Sequence, residues 1–227
     1  QGLADAQYRL GVMYDKGKGV PQDYKAAVKW YRKAAEQGLA DAQSLLGVMY
    51  LKGNGVQQNS KEAVKWYRKA AEQGDKSAQV MVGKMYELGE AVPQDATEAV
   101  KWYSKAAEQG EPNAQYSLGN MYVRGEGVSQ DYKAAVKWWR KAAEQGLADA
   151  QYRLSVMYAT GKGVIQDFKE TDKWCRKAAE QGLADAQYRF GRICIDGTSQ
   201  GDVEAYAWLN ISAAQGNEDA FKHRDAV

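Results

Sequence analysis

Histidine is almost missing from this sequence: His223, near the end, stands alone among 227 residues. A zinc site built on paired histidines or a helix-borne His-Glu-x-x-His motif is therefore excluded, and His223 reads as a surface side chain. Cysteine is nearly as scarce, with only Cys175 and Cys194. No apolar run is long enough to span a bilayer, and 44% hydrophobic with 26% charged residues describes a globular chain rather than a disordered one. An excess of one charge is also lacking. Lys+Arg 31 against Asp+Glu 29 leaves a net charge of +2, without the basic face that a phosphate backbone demands. We expect neither nucleic-acid binding nor membrane insertion. No serine is followed three residues later by lysine, which removes one acyl-enzyme motif. The Gly-x-Gly pieces at Gly17, Gly125 and Gly161 lack a third glycine and follow helical patterns, so they are turns rather than a dinucleotide site. Carboxylates such as Asp5 and its copies come from repetition and are solvated, with no reason for raised pKa values. The reading is a non-enzyme, with no catalytic residue, no metal ligand and no cofactor.

What fills the chain is one phrase. QGLADAQ starts at Gln1, Gln37, Gln145 and Gln181, with QGDKSAQ at Gln73, QGEPNAQ at Gln109 and a shortened QGNEDA at Gln215. The starts lie 36 residues apart, the last gap being 34. A period of this size marks a stacked-repeat architecture. Within a unit, Ala6, Leu10, Met13 and Tyr14 form the stripe of a first helix over about residues 4–15. The series Met13, Met49, Met85, Met121 and Met157 is core filling rather than a thioether metal site. Gly17 stops this helix, as do Gly53, Gly89, Gly125, Gly161 and Gly197, and Gly19 lets the chain reverse. Asp23, matched by Asn59, Asp95, Asp131 and Asp167, caps a second helix with the stripe Tyr24, Ala27, Val28, Tyr31, Ala34 and Ala35, ending at Gly38. Short connections make the two helices antiparallel, and each unit covers its apolar face by stacking on the next. Gly11, Gly47, Gly83 and Gly119 lie inside first helices, where glycine costs about 1 kcal/mol. Close approach beneath Trp30, Trp66, Trp102 and Trp138 is the expected compensation.

The run A-x-x-x-LG-x-MY-x-x-G-x-GV-x-x-D, followed by KAAVKWYRKAAEQG, resembles the Sel1-like repeat, a relative of the tetratricopeptide repeat. The resemblance covers nearly all of residues 1–214. It implies an all-α, α-α superhelical solenoid of six 36-residue helix-turn-helix repeats: 1–36, 37–72, 73–108, 109–144, 145–180 and 181–214. One solenoid domain would occupy 1–227, with 215–227 starting a C-terminal capping helix. The sixth repeat departs, having GTSQG from Gly197 to Gly201 in place of the GxGV loop. Such families are adaptors and scaffolds widespread in bacteria, which implies a protein or peptide partner without naming it. No leader opens the chain, yet it starts in mid-phrase at Gln1, as a fragment would. Cytoplasm and periplasm or export both remain open.

Two oddities share the junction of repeats five and six. Cys175 stands in the slot of Tyr31, and Cys194 in that of Tyr14. An axial offset of about 7 Å added to a helix spacing of about 8–10 Å puts a disulfide out of reach, so two buried thiols are expected. Asp172 replaces Val28 of the second-helix stripe. It either pairs with Arg176 or Arg192, or is simply wet.

Comparing the copies with one another isolates a candidate binding face. Stacking positions barely change, whereas Asp5, Tyr8, Arg9, Val12, Asp15 and Lys16 vary and lie together on the other side of the first helix. In a tetratricopeptide-like stack that side lines a concave groove. The candidate partner-binding residues are Tyr8, Arg9, Lys84, Tyr116, Ser117, Asn120, Arg124, Tyr152, Arg153, Tyr188, Arg189 and Arg192. Tyrosine and arginine beside small polar residues suit protein recognition. Lys25, Lys29, Arg32 and Lys33 recur on the second helix, offset by Glu36 and its copies, and read as a solvated face. The expected function is a non-catalytic scaffold or adaptor binding a protein or peptide in the groove. The alternative is recognition of a glycan or cell-wall fragment, or an enzyme-like activity, in the same place.

Overall fold

The computed structural model describes residues 2–195 and 199–224. Among the described residues every regular element is a helix. These are α1 (Gly2–Lys16), α2 (Tyr24–Glu36), α3 (Ala40–Lys52), α4 (Ser60–Glu72), α5 (Lys76–Leu88), α6 (Ala96–Glu108), α7 (Pro112–Arg124), α8 (Tyr132–Glu144), α9 (Ala148–Thr160), α10 (Phe168–Glu180), α11 (Ala184–Cys194), α12 (Ser199–Ala214) and α13 (Glu218–Arg224). This is the helical-repeat solenoid fold. The helices group into two compact units, one running up to Ala114 together with Glu126–Val128, the other comprising Gln115–Gly125 and the residues from Ser129 onward.

Helix boundaries follow local chemistry. Asp23, Asn59, Asp95, Asp131 and Asp167 are extended N-caps whose side-chain oxygens accept amides of the first turn, as Asp23 accepts from the Ala26 N–H at 3.0 Å. First helices stop at left-handed glycines, Gly53 at φ 74, Gly89 at 72 and Gly161 at 70. The expected stop at Gly197 lies outside the described residues. The second loop glycine is required by contact as well as by φ: a Cβ on Gly55 would lie 2.3 Å from the Tyr24 carbonyl, and one on Gly163 would lie 2.4 Å from the Tyr132 oxygen. In the third loop Ala91 holds the left-handed conformation at φ 65. Loop glutamines tie these turns to the preceding helix: Gln22 Nε2 donates to the Asp15 carbonyl at 2.7 Å and Gln166 Nε2 to that of Ala159 at 2.7 Å.

The core repeats as the stripes require. Ala27, Val28, Tyr31, Ala34 and Ala35 are buried against Ala42, Leu46 and Met49, and the same slots recur in later repeats. The glycine compensation is not the expected one. A Cβ on Gly11 would lie 2.5 Å from Tyr31 Cδ1, on Gly47 2.9 Å from Tyr67, on Gly83 2.8 Å from Tyr103 and on Gly119 2.5 Å from Trp139. The side chain above the glycine is therefore the residue after the conserved tryptophan slot, about 100° further round the helix. The tryptophans instead take lysines over their rings, Lys33 on Trp30 at 4.7 Å and Lys69 on Trp66 at 4.3 Å. In the fifth repeat both partners of the glycine contact change together: Ser155 fills the glycine slot and Cys175 the aromatic one, both fully buried.

The opening phrase has a structural reason. Its last glutamine is buried and donates to a backbone carbonyl: Gln43 to Ala35, Gln79 to Ala71, Gln151 to Ala143 and Gln187 to Ala179, at 3.0 to 3.2 Å. The same glutamine's oxygen accepts from the first glutamine of the next phrase. Gln73 reaches Gln43 at 2.7 Å, Gln109 reaches Gln79 at 2.8 Å, Gln145 reaches Gln115 at 2.9 Å and Gln181 reaches Gln151 at 2.8 Å. Buried amides are thereby satisfied from both ends.

Candidate functional site

The variable first-helix residues do not all come to similar surroundings. In the first unit, Tyr8 is half-buried with its ring tilted against Tyr31, centroids 6.1 Å apart. Burial first, then Asp41, raises its phenol pKa. Arg9 and Lys84 are exposed.

In the second unit the positions converge. Asn120 and Arg124 from α7, Arg153 from α9, and Val123 and Trp139 line a 260 Å³ cleft. Ser117 is half-buried on α7. Tyr116 packs against the α8 and α9 core, and its carbonyl accepts from Trp139 Nε1 at 3.1 Å. The Tyr116 hydroxyl is the leading influence that raises the pKa of Arg153. Tyr152 is half-buried against the cluster around Cys175 and Phe190. Its phenol is raised mainly by burial, then by Asp185, against a lowering by Arg189. Tyr188 lies one repeat on, its ring 5.6 Å from that of His223 in α13, with its hydroxyl 3.4 Å from Nδ1. A 380 Å³ cleft gathers Tyr152, Tyr188, Arg189 and Arg192 with Ala159, Phe168, Thr171 and Ile193.

Phe168 and Ile193 were not among the sequence candidates. Phe168 occupies the slot of Tyr24 but is 70% exposed, against 37% for Tyr24. In earlier repeats the Gly-x-Gly loop of the following unit packs on this slot, as Gly55 does on Tyr24 and Gly163 on Tyr132. The sixth repeat has no such stretch, so the signal was present in the missing GxGV.

The junction is otherwise settled locally. Both cysteines remain thiols, but only Cys175 is buried, Cys194 being half-buried. Burial pushes the Cys175 thiol up to about 12. Asp172 is half-exposed and forms no ion pair among the described residues. Arg176 instead approaches Glu204 at 3.5 Å and covers the Phe190 ring at 4.6 Å. In the first, second and fourth repeats the equivalent arginine meets the tyrosine that Cys194 replaces, Arg32 to the Tyr50 hydroxyl at 2.5 Å and Arg140 to that of Tyr158 at 2.6 Å, while the third repeat has Ser104 there. The second-helix lysines are partly engaged within the helix: Lys65 with Glu62, Lys101 with Glu98 and Lys173 with Glu170. Among the described residues no group of three or more His, Cys, Asp or Glu could hold a metal ion, and no helix is long and apolar enough to cross a membrane.

Comparison with known proteins places this architecture. The Sel1 repeat model matches residues 4–39, 40–75, 76–111, 112–147, 148–183 and 184–217. The chain belongs to the Sel1 repeat family, whose members are protein-interaction modules. It is similar to c5321, a protective antigen of uropathogenic Escherichia coli, at 44% identity and TM-score 0.93, over 99% of this chain and 48% of the antigen. The chain thus spans about half that relative's length. A Sel1 repeat protein from Oxalobacter formigenes is 38% identical at TM-score 0.84, over 93% of this chain and 88% of its own. Immunity protein PA5088 of Pseudomonas aeruginosa, at 22% identity and TM-score 0.54 over 96% of this chain and 83% of its own, shares the fold. No curated protein matches significantly.

Proposed function

We propose that the chain is a non-catalytic scaffold that binds a partner protein or peptide along the exposed side of its first helices, with α9 and α11 as the main contact. The observation that carries this reading is the convergence of Tyr152, Tyr188, Arg189 and Arg192 on one 380 Å³ cleft. These are positions that vary between copies, while Ala150, Gln151, Ala186 and Gln187 beside them keep the residue of every full copy and are buried. Tyrosine and arginine anchors in a partly desolvated recess dominate protein interfaces, and truncating one costs about 2 kcal/mol or more.

The test is capture of a partner from bacterial lysate, followed by a hydrogen-exchange footprint of the purified complex. Protection should fall on α7, α9 and α11. Tyr188→Ala and Tyr116→Ala should weaken binding, whereas Lys101→Ala and Lys137→Ala should change it little. Protection confined to α8 and α10, with the lysine changes decisive, would defeat the reading.

A further inference from the structure

The cleft between α9, α10 and α11 has a chemistry of its own. Its lining contains two arginines and no carboxylate. Arg189 Nε is buried without an acceptor, and the side chain forms no hydrogen bond or ion pair among the described residues. Arg192 lies 5.9 Å from the Tyr188 ring centroid and also has no carboxylate in ion-pair reach there. Thr171 is already committed, its hydroxyl donating to the Asp167 carbonyl at 2.8 Å. Beside these cations stand the exposed Phe168 and Ile193, and Ile165 in the preceding loop is 90% exposed. Arg189 Nε itself is enclosed, so a group entering the cleft meets this guanidinium at its terminal nitrogens, where a carboxylate supplies charge-assisted bonds in the right geometry.

We propose that this cleft docks an acidic, apolar peptide segment of a partner protein. A side-chain carboxylate is received by Arg189 and Arg192, and a neighbouring aliphatic or aromatic side chain by Phe168 and Ile193. The proposal rests on the reading of the chain as a protein-binding module and names the chemistry of the partner. The volume suits a few side chains. Peptide fits better than sugar because no Asn, Asp, Gln or Glu lines the cleft to accept from sugar hydroxyls, while exposed Phe168 and Ile193 offer apolar area.

The experiment is phage selection of random linear dodecapeptides on the whole chain and, in parallel, on Arg189→Gln/Arg192→Gln, on Arg192→Gln alone and on Phe168→Ser/Ile193→Ser. Each variant is checked for folding by circular dichroism. Wild type should enrich Asp or Glu next to Leu, Ile or Phe, and the variants should not. A selected peptide, acetylated and amidated, should lose about 10-fold affinity or more when its acids become amides, and should bind more weakly as salt is raised. The idea is overturned by absence of enrichment, by enrichment unchanged in the folded variants, or by indifference to the acid-to-amide change. Equal binding of a neutral peptide through its free C-terminal carboxylate would overturn it too, as would displacement by an acidic oligosaccharide alone. A captured partner that footprints on α7, α9 and α11 yet ignores Arg189→Gln/Arg192→Gln sinks this inference and spares the broader reading. Acidic-peptide binding without any native footprint on those helices sinks the broader reading instead.

Discussion

Cys175 and Ser155 show how a change that looks like drift can be a matched exchange. Where other repeats set a ring over a glycine, the fifth sets a thiol over a hydroxymethyl group, both fully buried. Cys175→Tyr alone should overpack Ser155 and cost about 1–3 kcal/mol. Ser155→Gly alone leaves a helical glycine, at about 1 kcal/mol. Together they rebuild the pair found elsewhere, so the double variant should be more stable than the sum of the two by a coupling of about 0.5–3 kcal/mol in urea unfolding. The thiol also has a pH signature. Its pKa is raised from 9.0 to about 12 by burial, so the folded state favours the neutral form. That contribution is fully present below the unfolded value and is lost as pH rises from about 9 toward 12. Cys175→Val should flatten the start of the alkaline fall in urea midpoint, and native Cys175 should resist thiol reagents at pH 8. Ala91, held at φ 65 where its counterparts are glycine, gives the opposite case. Ala91→Gly should stabilise by about 1 kcal/mol, read as a rise in urea midpoint.

The helices were legible because their ends are written in residue types with a single conformational meaning, the capping Asp23 series and the left-handed Gly17 series. The side chain above Gly11 was not, because two adjacent aromatic residues differ only by a rotation of the helix, and either could have filled the space. The glutamines escaped for another reason. Gln43 and its copies sit beside the apolar stripe and look like surface residues until the backbone carbonyl they serve is seen. Gln79→Leu should remove one buried and one half-buried hydrogen bond, while the Ala71 carbonyl keeps the Gly74 N–H, costing about 1–3 kcal/mol. Gln7→Leu, whose bond with Gln37 is exposed, should cost less in the same urea measurement.

Across the whole molecule, stability should be uneven, because each repeat rests chiefly on its neighbours. The end of α10 and the whole of α11 lack the arginine–tyrosine contact, and the Arg176–Glu204 pair that replaces it is exposed on both sides and adds little. Amides of α11 should therefore exchange faster than those of α3 and α5; equal protection would refute this. Of the proposed binding face, the sequence offered the tyrosines and arginines as candidates because they vary between copies, and one cleft gathers Tyr152, Tyr188, Arg189 and Arg192. Phe168 was hidden in a slot on which the next Gly-x-Gly loop packs at Tyr24, Ala96 and Tyr132, and the sixth repeat lacks that stretch of sequence.

The glutamine contacts each join residues 30 positions apart, and the final one, Gln215 to Gln187, joins residues 28 apart where two residues are missing from the loop. Every such bond needs only the unit before it. A gene that gains or loses one whole copy by recombination therefore yields a chain in which all remaining seams close as before. Copy number can drift between lineages without any adjustment elsewhere, and selection is left to act on the few side chains that differ.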